Sequence, residues 1–261
     1  MIFVGEGALL WRAVQHTLDR DLPVDLVCGP QPITAATATP PDVPFLATPD
    51  INTVAAELTA SCTDGLLWSI NNRMIFRNPV LSTDLRILNI HHGPLPAYRG
   101  IPEIALVYAM LHGEREFAAT LHRVDEGIDT GTKLAVERYP IGTDDPYHAV
   151  LRRGLQACHQ LFERCLPALA KDPGWPGEMK ETDYGTPAQD SGYYGRSALA
   201  RLHEHHKNPE FARATNLGFL AGYLPELTAA LHRVDSAAFN RARHPQQGGR
   251  RPPAHGTVVP P

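Results

Sequence analysis

Four short apolar runs, MIFV at 1–4, DLVC at 25–28, LLWSI at 66–70 and ILNIH at 87–91, constrain this chain more than any other feature. Between the first two, Leu9, Leu10, Ala13, Val14, Thr17 and Leu18 recur with helical spacing over 8–18. Between the second and third, a Thr/Ala/Pro-rich loop at 33–49 leads to a helix over 53–61, with Asn52 as its N-cap. Strands that alternate with helices are joined by crossovers, and crossovers make parallel pairs. The expected fold is α/β: a Rossmann-like, mostly parallel sheet with helices on both faces. Ligands of such sheets collect at the carboxyl ends of the strands.

The pattern continues with a helix at 103–112, strands at 117–124 and 132–139, and a long helix at 146–169 that stops near Asp172-Pro173-Gly174. Composition then shifts. Residues 173–194 are rich in Gly, Pro, Tyr and charge, and 197–205 and 209–231 return to helical spacing. From about 241 the chain is Pro-, Gly- and Arg-rich, with too little apolar content to bury. The expected organisation is a catalytic domain at 1–172, a smaller, mainly helical C-terminal appendage at 173–240 and a disordered tail at 241–261.

Bulk properties exclude some function classes. A formal charge of −4 supplies no basic field for nucleic acid. No run of about 18 apolar residues is present to span a membrane. The start, MIFVGEGALL, has neither a basic n-region nor a small-residue cleavage site, so a cytoplasmic protein is expected. None of Cys28, Cys62, Cys158 and Cys165 forms a C-x-x-C pair. Cys158 and Cys165 fall on one predicted helix roughly 10 Å apart, too far for a disulfide, so reduced thiols are expected. Gly5-Glu6-Gly7 lacks the third glycine of a dinucleotide fingerprint, and a tight strand-to-helix turn explains it better. The HEHHK stretch at 203–207 has no H-E-x-x-H and no third ligand at a telling spacing, and it reads as a solvated helix face.

The stretch ILNIHHGPLPAYRG at 87–100 asks for a chemical explanation. A strand with a buried pattern ends in Asn89, His91 and His92, beside a proline-stiffened loop. Unpaired polar groups in a core cost roughly 1–3 kcal/mol, so these are either satisfied or used. The stretch LHRVDEGIDTGTKL at 121–134 runs from a strand into a glycine turn with Asp125, Glu126 and Asp129. Acidic residues in such turns are usually turn formers.

Together the two stretches resemble the 10-formyltetrahydrofolate-dependent formyltransferase family, which shows an N-I-H-P-S-L-L-P-x-Y-x-G-like stretch followed by D-x-G-x-D-x-G. The resemblance covers roughly 1–170 and is strongest over 65–141. It implies Asn89, His91 and Asp129 as the catalytic set and 10-formyltetrahydrofolate as co-substrate, with no metal. It also implies a pterin slot lined by Arg73, Met74 and Ile75, with Asp125 and Gly127 on the other side. His92, Pro94, Tyr193 and Tyr194 are weaker expectations for the acceptor.

The resemblance also narrows the acceptor. Relatives acting on glycinamide ribonucleotide carry a Ser/Asn-bearing glycine loop for phosphate, where this chain has acidic Glu6. Relatives acting on initiator methionyl-tRNA carry a basic linker and a C-terminal β-barrel. Formyltetrahydrofolate hydrolases place a regulatory domain first, and none precedes Met1. The expectation is formyl transfer to a small-molecule amine, or one bound to a carrier or peptide, in natural-product metabolism. A nucleotide-linked amino sugar is the runner-up acceptor, and a hydrolase-like activity on the same scaffold also stays open. No nucleic acid or membrane partner is expected, and a homodimer is left open.

Overall fold

The computed structural model describes residues 1–30, 43–172 and 192–233. The segment leading into SGYYGR and the 241–261 tail lie outside the described residues. In chain order the main elements begin with β1 (Ile2–Gly5), α1 (Gly7–Leu18), β2 (Leu26–Gly29), β3 (Phe45–Ala47), α2 (Ala55–Ser61) and β4 (Leu66–Ile70). Next come α3 (Asn78–Leu81), β5 (Arg86–His91), β6 (Tyr98–Gly100), α4 (Pro102–Leu111), β7 (Glu116–Arg123), β8 (Lys133–Pro140) and α5 (Tyr147–Lys171). The C-terminal part adds β9 (Gly192–Tyr194), α6 (Arg196–Arg201) and α7 (Phe211–Ala214).

Every residue of β1, β2 and β4 is buried, which is why these strands read as unbroken apolar runs. The sheet order is β3-β2-β1-β4-β5-β7-β8. Strands β1 to β5 are parallel, β7 runs antiparallel to β5, and β8 antiparallel to β7. Strand order reverses between β1 and β4, so a crevice opens there at the carboxyl ends. Both faces are covered. On one, Phe162 of α5 meets Phe3 and Trp68 edge-on, with ring centroids 5.9 and 4.9 Å apart, and α1 and α4 pack into the same core. On the other, Ile51, Leu58 and Val80 cover Ile2, Val4, Leu67 and Ile87.

Gly5 and Gly7 form the expected tight turn. Gly5 has φ +152, and a Cβ there would lie 1.9 Å from the Ile70 carbonyl oxygen. All four cysteines are free, and Cys158 and Cys165 share α5.

Three local expectations are corrected. The 33–49 loop contains an edge strand, β3, paired with β2. Asn52 does not cap α2, which starts after Val54 without a side-chain cap; the capping carboxylate upstream is that of Asp50. It accepts the Asn52 N–H at 3.0 Å and opens a 3-10 turn, Ile51–Val54, ahead of the helix. The 209–231 helix is broken into α7, a 3-10 turn at Gly218–Tyr223 and a helical stretch at 225–233, with Gly218 at φ +50.

Described residues of the C-terminal part lie on α4 and β6. Tyr108 Oη donates to the Ala198 carbonyl at 2.8 Å, Asn208 Nδ2 donates to the Leu111 carbonyl at 2.9 Å, and β9 pairs with β6 in parallel.

Candidate functional site

The site is built at the carboxyl end of β5, where the parallel sheet meets the antiparallel hairpin. In register, β5 sets Asn89 opposite His122 and His91 opposite Thr120 of β7. The turn after β7 then brings Asp129 back to the strand end. Asp129 Oδ2 lies 3.5 Å from His91 Nδ1, and Asp129 Oδ1 lies 3.6 Å from His122 Nε2. Asp129 Oδ2 also accepts the Gly100 N–H at 2.8 Å. His91, Gly100 and His122 thus converge around the Asp129 carboxylate, and Asn89 joins them through His122.

Backbone carbonyls fix the imidazole roles, because a carbonyl only accepts. His91 Nε2 donates to the Tyr98 carbonyl at 2.7 Å, leaving Nδ1 to face Asp129. His122 Nδ1 donates to the Arg123 carbonyl at 2.7 Å, so its Nε2 accepts from Asn89 Nδ2 at 3.0 Å. One amide N–H of Asn89 is therefore taken and the other remains for a ligand.

Burial raises the Asp129 carboxyl, but His91, His122 and the Gly100 N–H outweigh it and hold the pKa at about 2. Asp129 is a carboxylate at neutral pH. Burial pulls the His91 imidazole below its ordinary value, against the upward pulls of Asp129 and the Tyr98 carbonyl. Glu103, in the first turn of α4, also pulls it upward.

The DEGIDTG turn needs its residue types. Asp129 adopts φ +55, a left-handed backbone that Asp tolerates better than most side chains. Cβ atoms on Gly127 and Gly131 would lie 2.0 Å from Thr130 Oγ1 and 1.9 Å from the Arg123 carbonyl oxygen. Asp125 accepts from the Gly127 N–H at 3.1 Å and from Thr130 Oγ1 at 2.7 Å, so its carboxylate staples the loop.

Arg73, Met74 and Ile75 line one cavity of about 500 Å³ at the β1/β4 reversal, together with Gly5, Glu6 and Asn72. Arg73 is exposed and reaches Glu6 at 3.3 Å and Glu103 at 3.6 Å. Ile75 is exposed on the rim. The cavity is tied to the strand end because Asn72 Nδ2 donates to Ser69 Oγ at 3.3 Å, and Ser69 is the register partner of Asn89.

The weaker expectations divide. Pro94 belongs to a loop held down by Thr120, whose hydroxyl donates to the Gly93 carbonyl at 2.7 Å. Tyr193 is exposed, and its ring lies 3.0 Å from where a Gly100 Cβ would stand. Tyr194 instead stacks on Tyr98 at 5.3 Å and meets Tyr108 at 5.0 Å, inside the appendage contact. His92 is also not brought to the triad. It is buried under α5, hydrogen-bonded to Tyr139 Oη and edge-on to Phe117.

Burial pushes the His92 imidazole down to about 3, from an ordinary 6.5. The unfolded chain takes up this proton first as pH falls. His92 should therefore cost stability progressively from pH 6.5 to about 3, and nothing above that window. Urea midpoints of wild type and His92→Gln at pH 7 and pH 4 test this. The gap between wild type and variant should close or reverse at pH 4; parallel losses would refute the assignment.

Sequence reasoning passed over His122. The available signal is its strand alternation with Thr120 just before the acidic turn.

The formyl transferase family profile matches residues 55–166. Over that segment the chain is similar to the formyl transferase family. The matched segment contains Asn89, His91, His122 and Asp129. The chain is 36% identical over 125 residues to a methionyl-tRNA formyltransferase of Thermus thermophilus, across 45% of this chain and 39% of that protein. The matches thus span 37–39% of the length of such curated relatives. The fold is similar to that of a sugar N-formyltransferase from a Shewanella species, with TM-score 0.62, 18% identity and coverage of 84% of this chain and 88% of that one. It is also similar to a Helicobacter canadensis N-formyltransferase solved with folinic acid and dTDP-3-aminofucose, with TM-score 0.56, 17% identity and coverage of 76% and 71%. Among the described residues, no helix is long and apolar enough to cross a membrane.

Proposed function

We propose that this chain transfers the formyl group of 10-formyltetrahydrofolate to the amino group of a small-molecule amine. The observation that carries this reading is the convergence of Asn89, His91 and Asp129 at the carboxyl end of β5. The donor supplies an electrophilic formyl carbon. In this reading its pterin sits beside Met74 and the exposed Ile75, in a cavity whose lining includes neither Asp125 nor Gly127.

The chain's own groups divide the remaining work. The free N–H of Asn89 stabilises negative charge on the formyl oxygen as the amine adds, a contribution of roughly 2.7–4 kcal/mol for one such donor. His122 orients that amide by accepting its other N–H. His91 Nδ1, facing Asp129, takes the proton that the attacking amine sheds, and Asp129 stabilises the imidazolium that results. The His91 imidazolium then passes that proton to N10 as the C–N10 bond breaks, which releases tetrahydrofolate and the formamide and returns His91 to its neutral form.

Two acceptor classes fit the reading. A nucleotide-linked amino sugar is favoured by the fold likeness to sugar N-formyltransferases, which extends past the catalytic segment over 84% of the chain. An amino-acid-derived amine, or one bound to a carrier or peptide in specialised metabolism, is the other.

The test is mass spectrometry of a panel of both amine classes after incubation with 10-formyltetrahydrofolate. The expected product gains CO. Donor consumption without any formylated amine would instead indicate hydrolysis, and no consumption with any amine would overturn the reading.

A further inference from the structure

Arg99 lies in β6, one residue before the Gly100 N–H that holds Asp129. It is partly buried, and its Nε is fully shielded with no hydrogen-bond partner. No carboxylate among the described residues pairs with it. Other sheltered arginines of this protein are paired: Arg213 with Glu210, and Arg153 with Asp145 at 2.6 Å. Asp129, which accepts the N–H of the next residue, is engaged by His91, His122 and Gly100. A shielded N–H without a partner is costly, and the partly exposed Nη groups beside it have no carboxylate partner among the described residues, so Arg99 beside this site points to an anion that arrives with a ligand.

The strand pairing says what else that ligand meets. Tyr98 turns inward, buried and stacked on Tyr194. Alternation puts Arg99 on the other face of β6, with its register partner Tyr193 of β9. Tyr193 is 49% exposed and borders Gly100. A forked cation and an open phenol face therefore flank the residue whose N–H positions Asp129. The fork matches the two oxygens of a carboxylate or phosphate, and the ring offers a flat apolar surface.

We infer that Arg99 and Tyr193 form an anion subsite for the acceptor, which carries a phosphate or carboxylate that Arg99 binds while the adjoining part of the molecule packs on Tyr193. This rests on the transfer reading above. It assigns the anion to the acceptor because Arg73, Met74 and Ile75, the donor's wall, line a cavity that contains neither Arg99 nor Tyr193.

Calorimetric titration of the full chain with inorganic pyrophosphate reads the subsite without turnover. Wild type should bind, and Arg99→Gln should bind at least about tenfold more weakly, the scale expected for hydrogen bonds to a charged group. Arg99→Lys, which keeps the charge but not the fork, should fall between them and stands in if the Gln variant does not fold. A wild-type chain that binds no pyrophosphate, or variants that bind it equally well, overturns the subsite. This holds whether or not any amine is formylated, so it separates failure here from failure of the transfer reading.

With an active acceptor in hand, Arg99→Gln should raise KM for the acidic acceptor about tenfold or more. It should leave unchanged the affinity for 5-formyltetrahydrofolate and the KM of an acceptor analogue lacking the acid. A loss that falls on 5-formyltetrahydrofolate instead would assign Arg99 to the donor's glutamyl carboxylate and overturn the acceptor assignment.

Discussion

Replacing His91 with Ala should lower kcat for formyl transfer at least about 100-fold, the lower end of what a positioned acid–base group supplies. Affinity for 5-formyltetrahydrofolate should change far less, because His91 faces Asp129 and the Tyr98 carbonyl rather than the cavity wall. Asp129→Ala should cost at least as much, about 100-fold or more, since it removes the charge that orients His91 and stabilises its protonated form. The pH profile separates chemistry from mere packing. Asp129 stays ionised down to about 2, so it cannot set an acid limb in the working range. His91 sets it, and its pKa lies below the ordinary 6.5. Asp129 pulls that pKa upward, so Asp129→Asn should move the acid limb of residual activity to lower pH. A limb that stays in place or moves to higher pH would sink the assignment, as would kcat values near wild type.

Gly154→Ala should be among the most destabilising single-methyl changes in this protein. Gly154 is where α5 crosses the buried His92–Tyr139 pair. A Cβ there would stand 1.8 Å from His92 Nε2 and 2.6 Å from Tyr139 Oη. Neither ring can retreat: His92 is backed by Phe117, and Tyr139 lies on β8 under the same helix. Accommodation must shift α5 or break the hydrogen bond between the two rings. Overpacking costs about 1–3 kcal/mol, and leaving a buried polar group unpaired adds about 1–3 kcal/mol. A fall of about 3 kcal/mol or more in urea-derived stability is expected, with activity lost in step with folding. A variant within 1 kcal/mol of wild type, about the size of an ordinary substitution, would show that the crossing is looser than drawn.

The parts legible in the sequence were those where burial dictates residue type. β1, β4 and β5 are shielded on both sides, so their apolar runs stand out, and Asn89 and His91 are conspicuous as polar exceptions. β3 was missed because it is three residues long, incompletely buried and on the sheet edge, where pairing needs little apolar content. The Asp50 cap was displaced to Asn52 because both residues suit the role, and only the turn geometry distinguishes them. Asp129 looked like any acid in a glycine turn until the family resemblance set it beside Asn89 and His91. His122 was not legible at all. Its partner Asn89 is 33 residues away on an antiparallel neighbour, and β6 and α4 lie between the two strands, so no short turn in the sequence announces their register.

The pairing of β6 with β9 joins two distant stretches of chain at one spot, the Gly192 N–H donating to the Ala97 carbonyl at 2.9 Å and the Ile101 N–H to the Tyr194 carbonyl at 2.9 Å. β6 carries the amide that fixes the Asp129 carboxylate. Insertions, deletions or exchanges in the C-terminal third are thereby felt within a few bonds of the reacting atoms.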